Sequence, residues 1–375
     1  MIARTIEKTL KQRMGSGKAI IISGPRQVGK TTLIQNLLQS KSYLFLDGDN
    51  AAVRNQLNNP TTEMLRSIIS QYEIVFIDEA QRIENIGLVM KQITDQFKQV
   101  QLIASGSSAF DLNSKINEPL TGRKWEYQLY PISYEELENS IGLIATNARL
   151  EHILLYGMYP DVLNHPGDER EVLTNLAESY LFRDLLAISG VRKAKELENL
   201  LRALAFQVGS EVSLNELAKL IGIDKNTVSS YIKILEMGYV IFPLTGFSRN
   251  LRKEIRQNQK YYFYDNGIRN SLIQNFNTMA FRNDKGALWE NFLMAERMKF
   301  NAYHRTYAKG YFWRTVDQQE IDYIEEKDGH IAAYEFKWNS DKIVKTPKAF
   351  SNAYGTELDL VHQNNFRSFV MNKSV

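Results

Sequence analysis

The sequence predicts an α/β chain whose first third is a doubly wound parallel sheet, and three observations carry that expectation. Short β-branched runs, "AIIIS" (Ala19–Ser23) and "IVFI" (residues 74–77), alternate with helix-forming runs, as buried parallel strands joined by crossovers do. A turn with two glycines, "GPRQVGKT", joins the first of these strands to the helical run "TTLIQNLLQS". With 375 residues the chain is too long for one ordinary core, so further domains are expected behind the sheet.

Composition narrows the class. Apolar residues make up 43% and charged residues 24%, an ordinary globular mixture. Zero cysteines exclude a disulfide framework, a thiolate metal site and a cysteine nucleophile, and they fit a reducing compartment. The opening "MIARTIEKTLKQRM" spaces Ile2, Ile6, Leu10 and Met14 four apart, a helical stripe rather than a signal peptide. No run reaches about 18 consecutive apolar residues. A cytoplasmic protein with no membrane span is therefore expected. The formal charge of +3 does not announce nucleic acid for the whole chain, so any such signal must be local.

The first elements justify a nucleotide site. Residues 24–31 fit G-x-x-x-x-G-K-[ST] between a strand and a helix, the context in which backbone N–H groups and a helix dipole cradle phosphates. Gly24, Pro25, Arg26, Gln27, Val28, Gly29, Lys30, Thr31 and Thr32 are the expected ATP-contacting residues. Lys30 would reach the β- and γ-phosphates, and the Thr31 hydroxyl would hold Mg2+. A second strand, ending in Asp78 and Glu79, would bring one carboxylate to the metal and one to the attacking water. "YLFLDGDN" (residues 43–50) fits another buried strand. "VQLIASGSS" ends in hydroxyls, so Ser105 or Ser107 would sense the γ-phosphate or simply cap a turn.

Together "GPRQVGKTTL", "FIDEAQ", "SGSS" and "LTGR" resemble a prokaryotic group of AAA-type P-loop ATPases. The resemblance implies a P-loop NTPase domain over residues 1–138. It also implies ATP as ligand, Mg2+ as cofactor and the option of a homo-oligomer. Arg123, in "LTGR", would be an arginine finger or nucleotide sensor, or else a surface ion pair.

Residues 139–204 read as a helical connector, with Gly157 and Pro160 breaking "EHILLYGMYPDVL". In the resembled group a turn like that of Gly157, Tyr159 and Pro160 precedes a helix with Tyr180 and Asp184. Residues 205–278 predict a winged helix-turn-helix. Leu214, Leu217, Ala218 and Leu220 would form the apolar face of its first helix. The turn falls at Gly222, and a second helix begins near Asp224 with Val228, Tyr231, Ile232 and Leu235 inward. Lys225, Asn226, Thr227, Ser229, Ser230 and Lys233 form its polar side, suited to phosphates and base edges. Arg249, Arg252, Lys253, Arg256 and Lys260 add a basic run at the wing. DNA is the expected partner, and a protein partner is the alternative.

Residues 279–375 close the reading. An amphipathic helix, "ALWENFLMAERMKF", carries Glu290. Strand-like runs then carry Asp322 and the trio Glu335, Phe336 and Lys337. Alternation along a strand puts Glu335 and Lys337 on one face. Helix acid, strand acid and E-x-K follow the metal-dependent nuclease pattern PD-(D/E)xK. Glu290, Asp322 and Glu335 would hold a second Mg2+ or Mn2+, and Lys337 would orient water or stabilise the transition state. The resemblance extends here, since the same ATPase group carries a C-terminal domain of uncharacterised function with a small α/β restriction-endonuclease-like core. Two outputs stay open: ATP-controlled action on DNA, or a regulatory switch that binds DNA or a protein and cleaves nothing.

Overall fold

A computed structural model describes residues 2–107, 116, 118–177, 194–247, 259–315, 317–339, 341 and 344–372. The chain divides into two compact units. Unit 1 is Met1–Ile132 with Met237–Tyr239, and unit 2 is Ser133–Glu236 with Val240–Val375.

Unit 1 runs α1 (Glu7–Arg13), β1 (Ala19–Ser23), α2 (Lys30–Leu38), β2 (Tyr43–Asp47), α3 (Ala51–Leu57), α4 (Thr62–Ile69), β3 (Ile74–Asp78), α5 (Ile86–Gln96), β4 (Gln101–Gly106) and β5 (Lys124–Gln128). Its five described strands are parallel, in the order β2-β3-β4-β1-β5. Every residue of β1 and β3 is buried, as expected for inner strands covered on both faces. β2 departs from expectation. It lies at the sheet edge, where Phe45 is 40% exposed. Parallel order brings the C-terminal ends of β1, β3 and β4 to one rim, where ligands of such sheets bind. Gly24 at that rim is required by space, because a Cβ there would lie 2.0 Å from the Leu129 carbonyl oxygen.

Unit 2 opens with α6 (Tyr134–Ile141), α7 (Leu143–Ala148), α8 (Leu150–Tyr156), α9 (Pro160–Asn164), α10 (Glu169–Leu176) and α11 (Ala194–Phe206). After β6 (Glu211–Val212) come α12 (Leu214–Ile221), α13 (Lys225–Met237), β7 (Ile241–Gly246), β8 (Gln259–Phe263) and α14 (Asn266–Leu272). The rest is α15 (Lys285–Tyr303), β9 (Lys309–Arg314), β10 (Glu320–Lys327), β11 (His330–Phe336), α16 (Lys348–Tyr354), β12 (Leu358–Val361) and α17 (Arg367–Val370). In this division, residues 133–138 at the end of the expected ATPase span fall in unit 2, where they begin α6. There Ser133 and Glu136 form a capping box, and the Tyr134 amide donates to Glu296 at 2.6 Å.

Strands β7 and β8, expected from sequence as a wing, pair antiparallel, but β7 also pairs with β9 in parallel. One seven-stranded sheet, β12-β11-β10-β9-β7-β8-β6, therefore spans the boundary expected at 278/279. Helix α15 is not amphipathic. Leu288, Trp289 and every residue from Asn291 to Glu296 are buried, which leaves that stretch no solvent face. Its polar residues are matched: Asn291 Oδ1 accepts from the Phe263 amide at 2.7 Å, and Lys299 donates to Glu296 at 2.7 Å.

The Gly157 turn has a structural reason. Gly157 has φ 72°, and a Cβ there would lie 1.9 Å from an Asp265 carboxylate oxygen. The same carboxylate accepts from the amides of Met158 and Gly267 at 2.7 and 2.8 Å. Asn270 caps the end of α8 by donating to the carbonyls of Leu154 and Leu155 at 3.1 and 2.8 Å. Tyr180 and Asp184 lie outside the described residues.

Candidate functional site

The phosphate loop follows β1 with left-handed or otherwise positive φ at Gly24, Gln27 and Gly29 (152°, 58° and 91°). Such alternation turns successive N–H groups toward one point. Lys30 is 5% exposed and folds back on the loop, its Nζ donating to the carbonyls of Gly24 and Pro25 at 2.9 and 2.7 Å. Burial pushes its pKa down to about 8, against the pull of Glu79 and Asp78. A buried lysine this poorly solvated gains from an arriving polyanion. Val28 is buried within the loop, Arg26 is half-buried, and Gln27 and Thr32 are exposed.

The end of β3 lies across β4 from β1. Asp78 Oδ2 accepts the Thr31 hydroxyl at 2.6 Å, and its Oδ1 accepts the Ser105 hydroxyl. Paired hydroxyl and carboxylate oxygens suit Mg2+, which takes few protein ligands and completes its shell with water and phosphate. The residues therefore fit the nucleotide and its metal. Glu79 has φ 44°, and its Oε2 accepts from the Gln81 side-chain amide and from the Ser107 hydroxyl at 3.1 Å. The two serines thus divide their work, one on each acid.

Two residues here were not singled out from sequence. Gln81, in "DEAQ", holds Glu79 and also donates to Ser107 at 3.1 Å. Arg4 pins the loop by donating to the carbonyls of Val28 and Tyr130 at 2.8 and 2.6 Å. Arg123 is the contrary case. It precedes β5 at the start of β1, its carbonyl accepting from the Ala19 amide, so it lies at the opposite end of the sheet from the phosphate loop. Its guanidinium pairs with Asp95 at 2.7 Å. This placement does not bring its guanidinium to this chain's own phosphate loop.

In unit 2 the expected acids share one region, but each faces a donor. Glu290 Oε1 accepts the Tyr262 hydroxyl at 2.6 Å and lies 3.6 Å from Lys260 Nζ. Asp322 Oδ2 accepts the Phe336 amide at 2.8 Å. Lys337 Nζ donates to Glu335 at 2.6 Å, which confirms that those two side chains share a face. Burial pushes the Asp322 pKa up to about 8, with the charges of Glu290 and Glu335 adding to it. Burial also raises Glu290 against the pull of Lys260. Among the described residues no three His, Asp or Glu side chains are grouped to hold a metal. The donor set as arranged does not fit a second ion.

Lys260 is itself a correction. Expected to face phosphates at the wing, it is 1% exposed. Arg249, Arg252, Lys253 and Arg256 lie outside the described residues. Helices α12 and α13 meet at a turn where Gly222 is left-handed at φ 79° and Asp224 accepts from the amides of Asn226 and Thr227 at 2.9 and 3.0 Å. Val228, Tyr231, Ile232 and Leu235 are buried, whereas Lys225, Asn226, Ser229, Ser230 and Lys233 are exposed. Leu220, expected inward, is 68% exposed on the last turn of α12. No helix among the described residues is long and apolar enough to cross a membrane.

Comparison with known proteins finds matches to three family models. Residues 16–138 match the family model described as AAA domain. Residues 147–279 and 285–374 match two domains of unknown function, DUF8612 and DUF4143. An uncharacterised protein of Mycobacterium tuberculosis is 26% identical over 88% of this chain and 73% of its own length. One from Haemophilus influenzae is 24% identical over 83% of this chain and 80% of its own. Among solved structures, the Walker-type ATPase of Pyrococcus abyssi is similar with a TM-score of 0.52 at 16% identity, covering 73% of this chain and 96% of that one. The rim geometry, the family match and the shared fold agree that residues 16–138 carry an AAA-type P-loop ATPase domain.

Proposed function

We propose that the chain is an ATP-dependent switch, in which unit 1 binds and hydrolyses ATP and the helix-turn-helix of unit 2 contacts DNA. The observation that supports hydrolysis is the meeting of Lys30, the Thr31–Asp78 pair and the Glu79 carboxylate at one rim of the sheet. Thr31 and Asp78 would hold Mg2+, which would supply charge neutralisation to the phosphates. Lys30 leaves the carbonyls of Gly24 and Pro25 for phosphate oxygens and stabilises the charge that develops there. Glu79, held in orientation by Gln81 and Ser107, positions the attacking water and accepts its proton. Ser105 holds Asp78 in place throughout.

The switch reading takes precedence over cleavage because the acids of unit 2 are engaged by the chain's own donors. No hydrolytic step is assigned to them. The DNA reading rests on the exposed polar face of α13. The test is binding of a fluorescent ATP analogue to wild type and Lys30→Ala, followed by DNA binding with and without nucleotide. Wild type is expected to bind the analogue at least tenfold more tightly than Lys30→Ala, and its DNA affinity to depend on nucleotide. Equal analogue binding by the two proteins would refute the site, and nucleotide-independent or absent DNA binding would refute the switch.

A further inference from the structure

The acid cluster of unit 2 contains a cation that its sequence pattern does not predict. Lys260, on β8, projects to Glu320 at 2.5 Å and to Glu290 at 3.6 Å, and its ammonium lies 5.3 Å from the centre of the Phe312 ring. These partners come from β10, α15 and β9, so three elements converge on one buried ammonium. Tyr262, two residues along the same face of β8, binds the same Glu290 oxygen. Gly209 closes the opposite side, since a Cβ there would lie 3.1 Å from Glu290 Oε1. Lys337, one residue past the end of β11 and only partly buried, pairs with Glu335 at 2.6 Å.

We propose that Lys260 is the resident cation of this cluster, so that Glu290, Glu320 and Asp322 form a closed lysine–carboxylate network rather than a divalent-metal centre. A buried ammonium is tolerated only where carboxylates repay its desolvation. A divalent ion on the same oxygens would place two further positive charges beside it. Lys260 has no route to water that would relieve this, because it is 1% exposed. The pattern Glu290, Asp322, Glu335, Lys337 is then a shell that Lys260 of β8 has filled. The inference concerns unit 2 alone and stands or falls independently of ATP hydrolysis in unit 1.

The experiment is a Mn2+ titration of the nucleotide-free full chain by electron paramagnetic resonance, with unfolding followed in Mn2+ and in EDTA. Wild type is expected to bind no Mn2+ that depends on Asp322 and to unfold at the same temperature in both solutions. Lys260→Met is expected to lower the unfolding midpoint of unit 2 by roughly 10 °C, since it strands partly buried carboxylates. Adding Glu290→Gln to that variant should recover part of the loss, which a mere packing role would not produce. One Mn2+ per chain that disappears in Asp322→Asn would overturn the proposal. So would a Lys260→Met protein that is as stable as wild type. Should Lys260→Met fail to fold, the wild-type titration against Asp322→Asn still decides.

Discussion

Lys30 is the residue whose protonation the nucleotide should move. Its pKa near 8 in the nucleotide-free protein rises when phosphates arrive, because an anion favours the charged form. Binding must therefore take up a proton, about half a proton per site at pH 8, and ATP affinity should fall as pH rises through 8. Calorimetry in two buffers of different ionisation enthalpy measures the uptake, which should vanish in Lys30→Ala. Gln81 offers a second residue-scale prediction. Without its grip, Glu79 loses a fixed orientation, so Gln81→Ala should change kcat by about tenfold with little change in KM for ATP. Lys30, Thr31, Asp78 and Glu79 were legible in sequence because their spacing is set by a strand, a turn and a helix. Gln81 and Arg4 were not, since a glutamine beside an acid and an arginine far upstream acquire meaning only when the chain folds.

At the scale of elements, the inner strands β1 and β3 were read to within a residue because inner parallel strands are continuous apolar runs. β2 was misjudged as buried because an edge strand can be equally apolar. Helix α15 was misjudged for the converse reason: its buried Asn291, Glu296 and Lys299 resemble a polar face until their partners are seen. The Asp265 carboxylate joins the end of α8 to the start of α14, and its loss would leave the Met158 and Gly267 amides without that acceptor. Asp265→Ala should cost about 3 kcal/mol, measured by urea unfolding of unit 2. Helix α13 carries the nucleic-acid prediction. Changing Lys225 and Lys233 to Ala should weaken DNA binding across sequences and lower the slope of log K against log salt by about one per lysine that met a phosphate. An unchanged slope would remove α13 from the interface.

For the whole molecule, the sequence pattern located the ATPase domain but not how the rest shares its core. Separate matches over 147–279 and 285–374 contribute strands to a single sheet. Strand pairing between distant segments leaves no local signal, so β7 against β9 could not be foreseen. The same blindness hid Lys260, which reads as one more charge in a basic run and folds into the interior beside acids from another segment. Residues 178–193 and 248–258 lie outside the described structure, and the basic run at the wing falls among them. What the chain does thus rests on the rim of unit 1. The most direct test is phosphate release from ATP and Mg2+ by wild type and Glu79→Gln, with nucleotide binding measured in parallel. Retained binding with turnover reduced about 100-fold or more in Glu79→Gln is the predicted result. Equal turnover in the two proteins, or none in wild type, would contradict it.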